Sequence, residues 1–133
     1  MLVAEDVENL RSLIEIYLRE LGLDCATVAN GFEAVEAAVA GDFDVLLLDM
    51  EMPVMDGFEA ARVLRERGYD RPIVALTAHY QGAEVERARR EGCDDVLSKP
   101  VTLARLREVL QPLLARASSR ASAKQSHAVE TRR

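Results

Sequence analysis

Tryptophan is absent from the 133-residue chain, and Phe, Tyr and Trp together make up only 5% of it. A core must therefore be assembled from Leu, Val, Ile and Ala. These are plentiful: 49% of the residues are hydrophobic, enough for the interior of one domain. Cysteine is scarce as well. Cys25 and Cys93 lie far apart with no CxxC or metal-ligand spacing, which excludes a disulfide framework or a zinc module. Two isolated thiols fit a reducing, cytoplasmic compartment. Long apolar stretches are missing, and no run is longer than that at residues 45–48. No basic segment with a long apolar stretch behind it opens the chain, so neither a secretory signal nor a membrane span is expected. Positive charge is in deficit, with 17 Lys and Arg against 23 Asp and Glu. Within residues 1–115 the imbalance is 12 against 22. An acidic body lacks the basic face that duplex nucleic acid requires.

What is present alternates. Short apolar runs are followed by longer stretches in which apolar residues recur every three or four positions. Leu2-Val3-Ala4 precedes a helical stripe over 7–21 built on Val7, Leu10, Leu13, Ile14, Tyr17, Leu18 and Leu21, with Gly22 as its stop. Residues 23–28 read as a weaker strand, Asn30-Gly31 as a turn and 32–40 as an Ala-rich helix. Residues 43–48, apolar apart from Asp44, read as a buried parallel strand. A loop around Pro53 and Gly57 leads into a helix over 58–67. A strand at 73–76, a polar helix at 82–91, a short strand at 96–97 and a helix at 102–115 complete the series. Thr102 is placed to cap the last helix, and Pro112 is expected to kink or shorten it. Five β–α units in a row predict an α/β sandwich with a parallel sheet covered by helices on both faces. One domain is expected over 1–115. Residues 116–133, a basic tail rich in Ala, Ser and Arg with Val129 as its one sizeable apolar residue, are expected to be disordered.

Four of the five strands end in chemically active side chains: Glu5-Asp6, Asp49, Thr77 and Ser98-Lys99. In open parallel sheets, sites form beyond the carboxyl ends of the strands. Three carboxylates gathered there repel one another unless positive charge joins them. Lys99 is one cation, and an oxygen-rich site suits Mg²⁺ as the second. A hard metal, a carboxylate, a hydroxyl and an ammonium group together suit a phosphoryl group. Lysine usage agrees. Lys99 is the sole Lys among the 12 basic residues of 1–115, and a compact ammonium makes a point contact to an oxygen where a guanidinium would fork.

Four fragments, in order and at these separations, carry a resemblance: Leu2-Val3-Ala4-Glu5-Asp6, Asp49-Met50-Glu51-Met52-Pro53-Val54-Met55-Asp56-Gly57, Ala75-Leu76-Thr77-Ala78 and Lys99-Pro100. Over residues 1 to about 115 the chain resembles the receiver domain of two-component response regulators. The resemblance implies a flavodoxin-like, doubly wound α/β fold: five parallel strands in the order 2-1-3-4-5 with five helices. By position it implies Asp49 as the phosphoacceptor, Thr77 and Lys99 as phosphoryl-binding partners, and Glu5, Asp6, Asp49 and the Glu51 main-chain carbonyl as ligands of Mg²⁺, with Mn²⁺ as a substitute. The Lys99-Pro100 bond is expected to be cis. The implied donor is a histidine kinase or a histidine phosphotransfer protein, and the output passes to a downstream protein rather than to nucleic acid or membrane.

The chain departs from the family pattern at Val96, where many members carry Tyr or Phe. Three other readings stand beside the phosphoacceptor: an interaction module that works without phosphorylation, the receiver portion of a hybrid histidine kinase, and a flavodoxin-like cofactor binder. The last needs a phosphate-binding loop after the first strand, where Glu5-Asp6-Val7-Glu8 would repel phosphate in the absence of metal. Structural roles are the competing readings of single residues: Asp6 as a helix cap, Thr77 as a strand end, Asp56-Gly57 as a tight loop and His79 as a solvent-facing loop residue.

Overall fold

A computed structural model describes residues 1–132, with side chains described as far as Ala117. The elements follow in strict alternation: β1 (Leu2–Ala4), α1 (Glu8–Glu20), β2 (Ala26–Val28), α2 (Gly31–Ala40), β3 (Leu46–Asp49), α3 (Gly57–Glu66), β4 (Ile73–Thr77), α4 (Gly82–Arg90), β5 (Asp95–Ser98) and α5 (Leu103–Arg132). All strand pairs are parallel and the sheet order is β2-β1-β3-β4-β5.

The central strands are apolar up to their last residues because each face of the sheet is covered and side chains alternate between the faces. Leu46, Leu48, Ile73, Ala75 and Val96 join the core beneath α2, α3 and α4. Val3, Leu47, Val74, Leu76 and Leu97 join the core beneath α1 and α5. Leu46, Leu47 and Leu48 are wholly buried, and each such side chain contributes about 1.5–3 kcal/mol. Helix starts and stops follow local chemistry. Asn30 accepts from the Glu33 amide at 2.8 Å while Glu33 Oε1 accepts from the Ala29 amide at 2.9 Å, a reciprocal cap. Gly22, at φ +78°, ends α1 while the Leu23 amide reaches back to the Leu18 carbonyl at 2.9 Å.

Two differences from the sequence reading concern α5. The helix is not cut short by Pro112 but continues through it. Pro112 is exposed, so the Glu108 carbonyl that loses an intrahelical donor can turn to water. The assigned helix also runs past residue 115. The side chains of 118–133, on which the expectation of a disordered basic tail bears, lie outside the described residues.

Candidate functional site

Parallel pairing fixes where the strands end relative to one another. Asp49 is the last residue of β3 and pairs in register with Leu76, one residue before the end of β4. Thr77 closes β4 in register with Ser98, which closes β5. The Lys99 amide then donates to the Thr77 carbonyl at 2.8 Å, holding the two strand ends together, and the Lys99–Pro100 peptide is cis. Glu5 and Asp6 follow directly on β1, the other neighbour of β3. Glu5, Asp6, Asp49, Thr77 and Lys99 therefore share one rim.

Lys99 Nζ lies 3.0 Å from Asp49 Oδ1 and 3.3 Å from Glu5 Oε1. Glu5 and Asp49 are fully buried, and Thr77 nearly so. One carboxylate oxygen from each of Glu5, Asp6 and Asp49 lies within 4.8 Å of the other two. Asp49 Oδ1 also accepts from the Glu51 amide at 3.1 Å. Glu5 Oε2 accepts from the Val7 amide at 3.0 Å, and the Arg11 guanidinium donates to the Glu5 carbonyl at 2.9 Å. One ammonium among three carboxylates leaves an excess of negative charge. Burial pushes the Glu5 carboxyl up to about 7, against a lowering pull from the Val7 amide and with further upward push from Asp49. Burial pulls the Lys99 ammonium down, but its contacts with Asp49 and Glu5 outweigh that and leave it raised.

The donor set fits a divalent cation. Among the described residues, Asp49 Oδ2 is buried without a hydrogen-bond partner, and Glu5 Oε1 has only the ionic contact to Lys99. Buried carboxylate oxygens without donors are costly. Hard oxygen ligands crowded at this distance are what Mg²⁺ selects.

Asp56 and His79 take the structural roles weighed in the sequence. Asp56 caps α3 by accepting from the Glu59 amide at 2.9 Å. Gly57 packs so close beneath the site that a Cβ there would collide with the Asp49 carbonyl and would lie 2.5 Å from the Met50 methyl carbon. The His79 side chain is open to solvent, 4.0 Å from the Glu51 carboxylate. Ser98, at a strand end, is exposed. Sequence reasoning missed two contacts. Arg11 is one arginine among eleven in residues 1–115 with nothing local to mark it. The Glu51 side chain accepts from the Ala78 amide at 3.2 Å, a contact made only once the β3–α3 and β4–α4 loops have come together.

Residues 1–111 match the family model described as the response regulator receiver domain. Over 110 residues, covering 83% of this chain, the sequence is 38% identical to the autoinducer 1 sensor kinase/phosphatase LuxN of Vibrio campbellii, and spans 13% of that protein's length. It is 33% identical over 113 residues to two-component response regulator 24 of Arabidopsis thaliana, covering 84% of this chain and 81% of that one. Among solved structures, the receiver domain of sensor histidine kinase PA1611 from Pseudomonas aeruginosa, with a magnesium ion coordinated in its active-site cleft, superposes with a TM-score of 0.79 at 37% identity. That match covers 86% of this chain and 95% of the other.

Proposed function

Because the chain belongs to the response regulator receiver domain family, whose members are signalling phosphoacceptors, we propose that Asp49 accepts the phosphoryl group, from a phosphohistidine of a kinase or phosphotransfer protein. The supporting observation is the buried Asp49 carboxylate, held on Oδ1 by Lys99 and the Glu51 amide while Oδ2 keeps its lone pairs uncommitted. An Asp49 oxygen attacks phosphorus, the new O–P bond forms, and the P–N bond breaks with its electron pair returning to the imidazole. The product is an acyl phosphate. Lys99 opposes the charge on the transferred oxygens, and the Thr77 hydroxyl donates to one of them. Mg²⁺, or Mn²⁺ in its place, would be held by Glu5, Asp6, Asp49 and the Glu51 carbonyl, and would supply positive charge against the phosphoryl oxygens. Attack of water on phosphorus later breaks the O–P bond, releases inorganic phosphate and restores the carboxylate.

The setting proposed is cytoplasmic, with a downstream protein as the recipient of the signal. Among the described residues no helix is long and apolar enough to cross a membrane. A second reading has specific support: the chain spans 13% of LuxN and 12% of the sensor histidine kinase RcsC of Salmonella typhi. It would then be the receiver portion of a hybrid kinase, with the same chemistry at Asp49.

The test is incubation with Mg²⁺ and a small acyl phosphate or phosphoramidate, followed by intact-mass measurement. Wild type gains one phosphoryl mass and Asp49→Asn gains none. An unmodified wild type would leave the module that works without phosphorylation as the better account.

A further inference from the structure

Two adjacent backbone amides at the start of the β4–α4 loop are held by side chains that belong to the acidic rim. The Ala78 amide donates to Glu51 Oε1 at 3.2 Å, and the His79 amide donates to Thr77 Oγ1 at 3.0 Å. Glu51 is itself tied to the acceptor, since its own amide donates to Asp49 Oδ1. The loop these bonds restrain carries Tyr80, 52% exposed, and leads into α4. Beyond these bonds, Val85 of α4 is partly buried against the core and the Arg87 guanidinium lies 4.0 Å over the Phe58 ring. Ala88 is its one buried residue, and Gln81 at its N-cap makes no side-chain cap bond. An element with so few buried contacts moves at small cost.

Residue 96 cannot take over as reporter. Val96 is 1% exposed, sits in the core and pairs in register with Ala75. A change at Thr77 therefore meets no ring on β5 and passes into the loop that follows it.

We propose that Glu51 is the resting-state lock of this switch: its carboxylate occupies the Ala78 amide until a phosphoryl group on Asp49 displaces it, which frees the loop over 78–81 that carries Tyr80 at its surface. The proposal rests on Asp49 being the phosphoacceptor. A phosphoryl group brings a charge of about −2 to the residue against which the Glu51 backbone is anchored. Like charge then drives the Glu51 carboxylate outward. A Thr77 oxygen that turns toward Asp49 leaves the His79 amide, so both restraints are given up together.

The test uses the full chain, wild type against Glu51→Ala and Glu51→Gln, followed by NMR with amide exchange and by intact mass. The Glu51 side chain is half exposed, so both variants fold. In the unphosphorylated protein, Ala78 exchange speeds up about five-fold in Glu51→Ala, the loss of one surface hydrogen bond. It stays within about two-fold of wild type in Glu51→Gln, which keeps the acceptor oxygen. The Tyr80 signals of unphosphorylated Glu51→Ala move toward their positions in wild type treated with Mg²⁺ and acetyl phosphate, and those of Glu51→Gln move less. Unchanged Ala78 exchange in Glu51→Ala overturns the lock. Tyr80 signals that stay in place in a wild type shown by mass to be phosphorylated overturn the release of the loop. If wild type gains no phosphoryl mass, the phosphoacceptor reading itself fails, and the exchange comparison still decides whether the Glu51 lock exists.

Discussion

Replacing Lys99 with Met removes the one ammonium group from a rim that holds two fully buried carboxylates. Lys99 Nζ stands 3.0 Å from Asp49 and 3.3 Å from Glu5, with about a fifth of its side chain exposed. Leaving a buried charge without its partner costs about 3–5 kcal/mol in full. Here the cost is smaller and depends on pH, because Glu5 can take up a proton. Its folded pKa is raised from 4.5 to about 7, so the folded state binds that proton more tightly than the unfolded chain does. The penalty for ionised Glu5 is absent below the unfolded value and grows as pH climbs from 4.5 to about 7. Lys99 holds that penalty down in wild type, as one of the influences that lower the Glu5 pKa. Its own raised pKa keeps it charged across this whole window. Lys99→Met is therefore expected to lose about 2 kcal/mol of stability near pH 8 and well under 1 kcal/mol near pH 5. Mg²⁺ added near pH 8 should recover much of the loss, because a cation again sits among the carboxylates. Urea denaturation followed by circular dichroism, at both pH values with and without Mg²⁺, measures this. A loss of equal size at both pH values, or one that Mg²⁺ leaves untouched, would refute the electrostatic account of the rim.

Glu5→Gln removes the group whose ionisation is penalised, so the metal-free protein should be more stable than wild type above about pH 7, by up to about 2 kcal/mol. The same variant should bind Mg²⁺ at least about ten-fold more weakly by titration calorimetry, since a ligand is lost. Arg65→Ala is expected to cost about 2–4 kcal/mol in urea denaturation. Its guanidinium donates to the carbonyls of Tyr69, Arg71 and Gly92 and to the Asp94 carboxylate, tying α3 to the loops that precede β4 and β5. Phosphoryl mass gain should survive that change, because the cluster lies at the opposite end of the strands. Cys93 is buried and its thiol is pushed up to about 12, mainly by burial. It should resist alkylation in the native protein and react only on unfolding, so rapid labelling under native conditions would contradict its place in the core.

Much of this molecule is written locally. The alternation of Leu46, Leu47 and Leu48 between two covered faces follows from the two-residue period of a strand, and a continuous apolar run signals a sheet buried on both sides. Gly22 and Asn30 mark helix ends through backbone freedom and side-chain capping, which act within a few residues. Pro112 points to a shortened helix for the same reason, and the helix is not shortened. The missing N–H of Pro112 is visible in the sequence, whereas the solvent that tolerates it is not. The rim residues were legible because each closes or directly follows a strand, and parallel pairing brings strand ends together whatever the details.

Sequence alone determined which groups would meet: Glu5, Asp6, Asp49, Thr77 and Lys99, at the carboxyl edge of a five-unit α/β chain. The tertiary structure decided how they divide the work. It buries Glu5 fully while leaving its neighbour Asp6 more open, commits Asp49 Oδ1 but not Oδ2, and turns the Glu51 side chain to the Ala78 amide. Residue order along the chain specifies which strand a side chain terminates. Burial, distance and the choice of hydrogen-bond partner arise only when loops remote in sequence close on one another, and in a low-dielectric rim those quantities set the charge each group can bear.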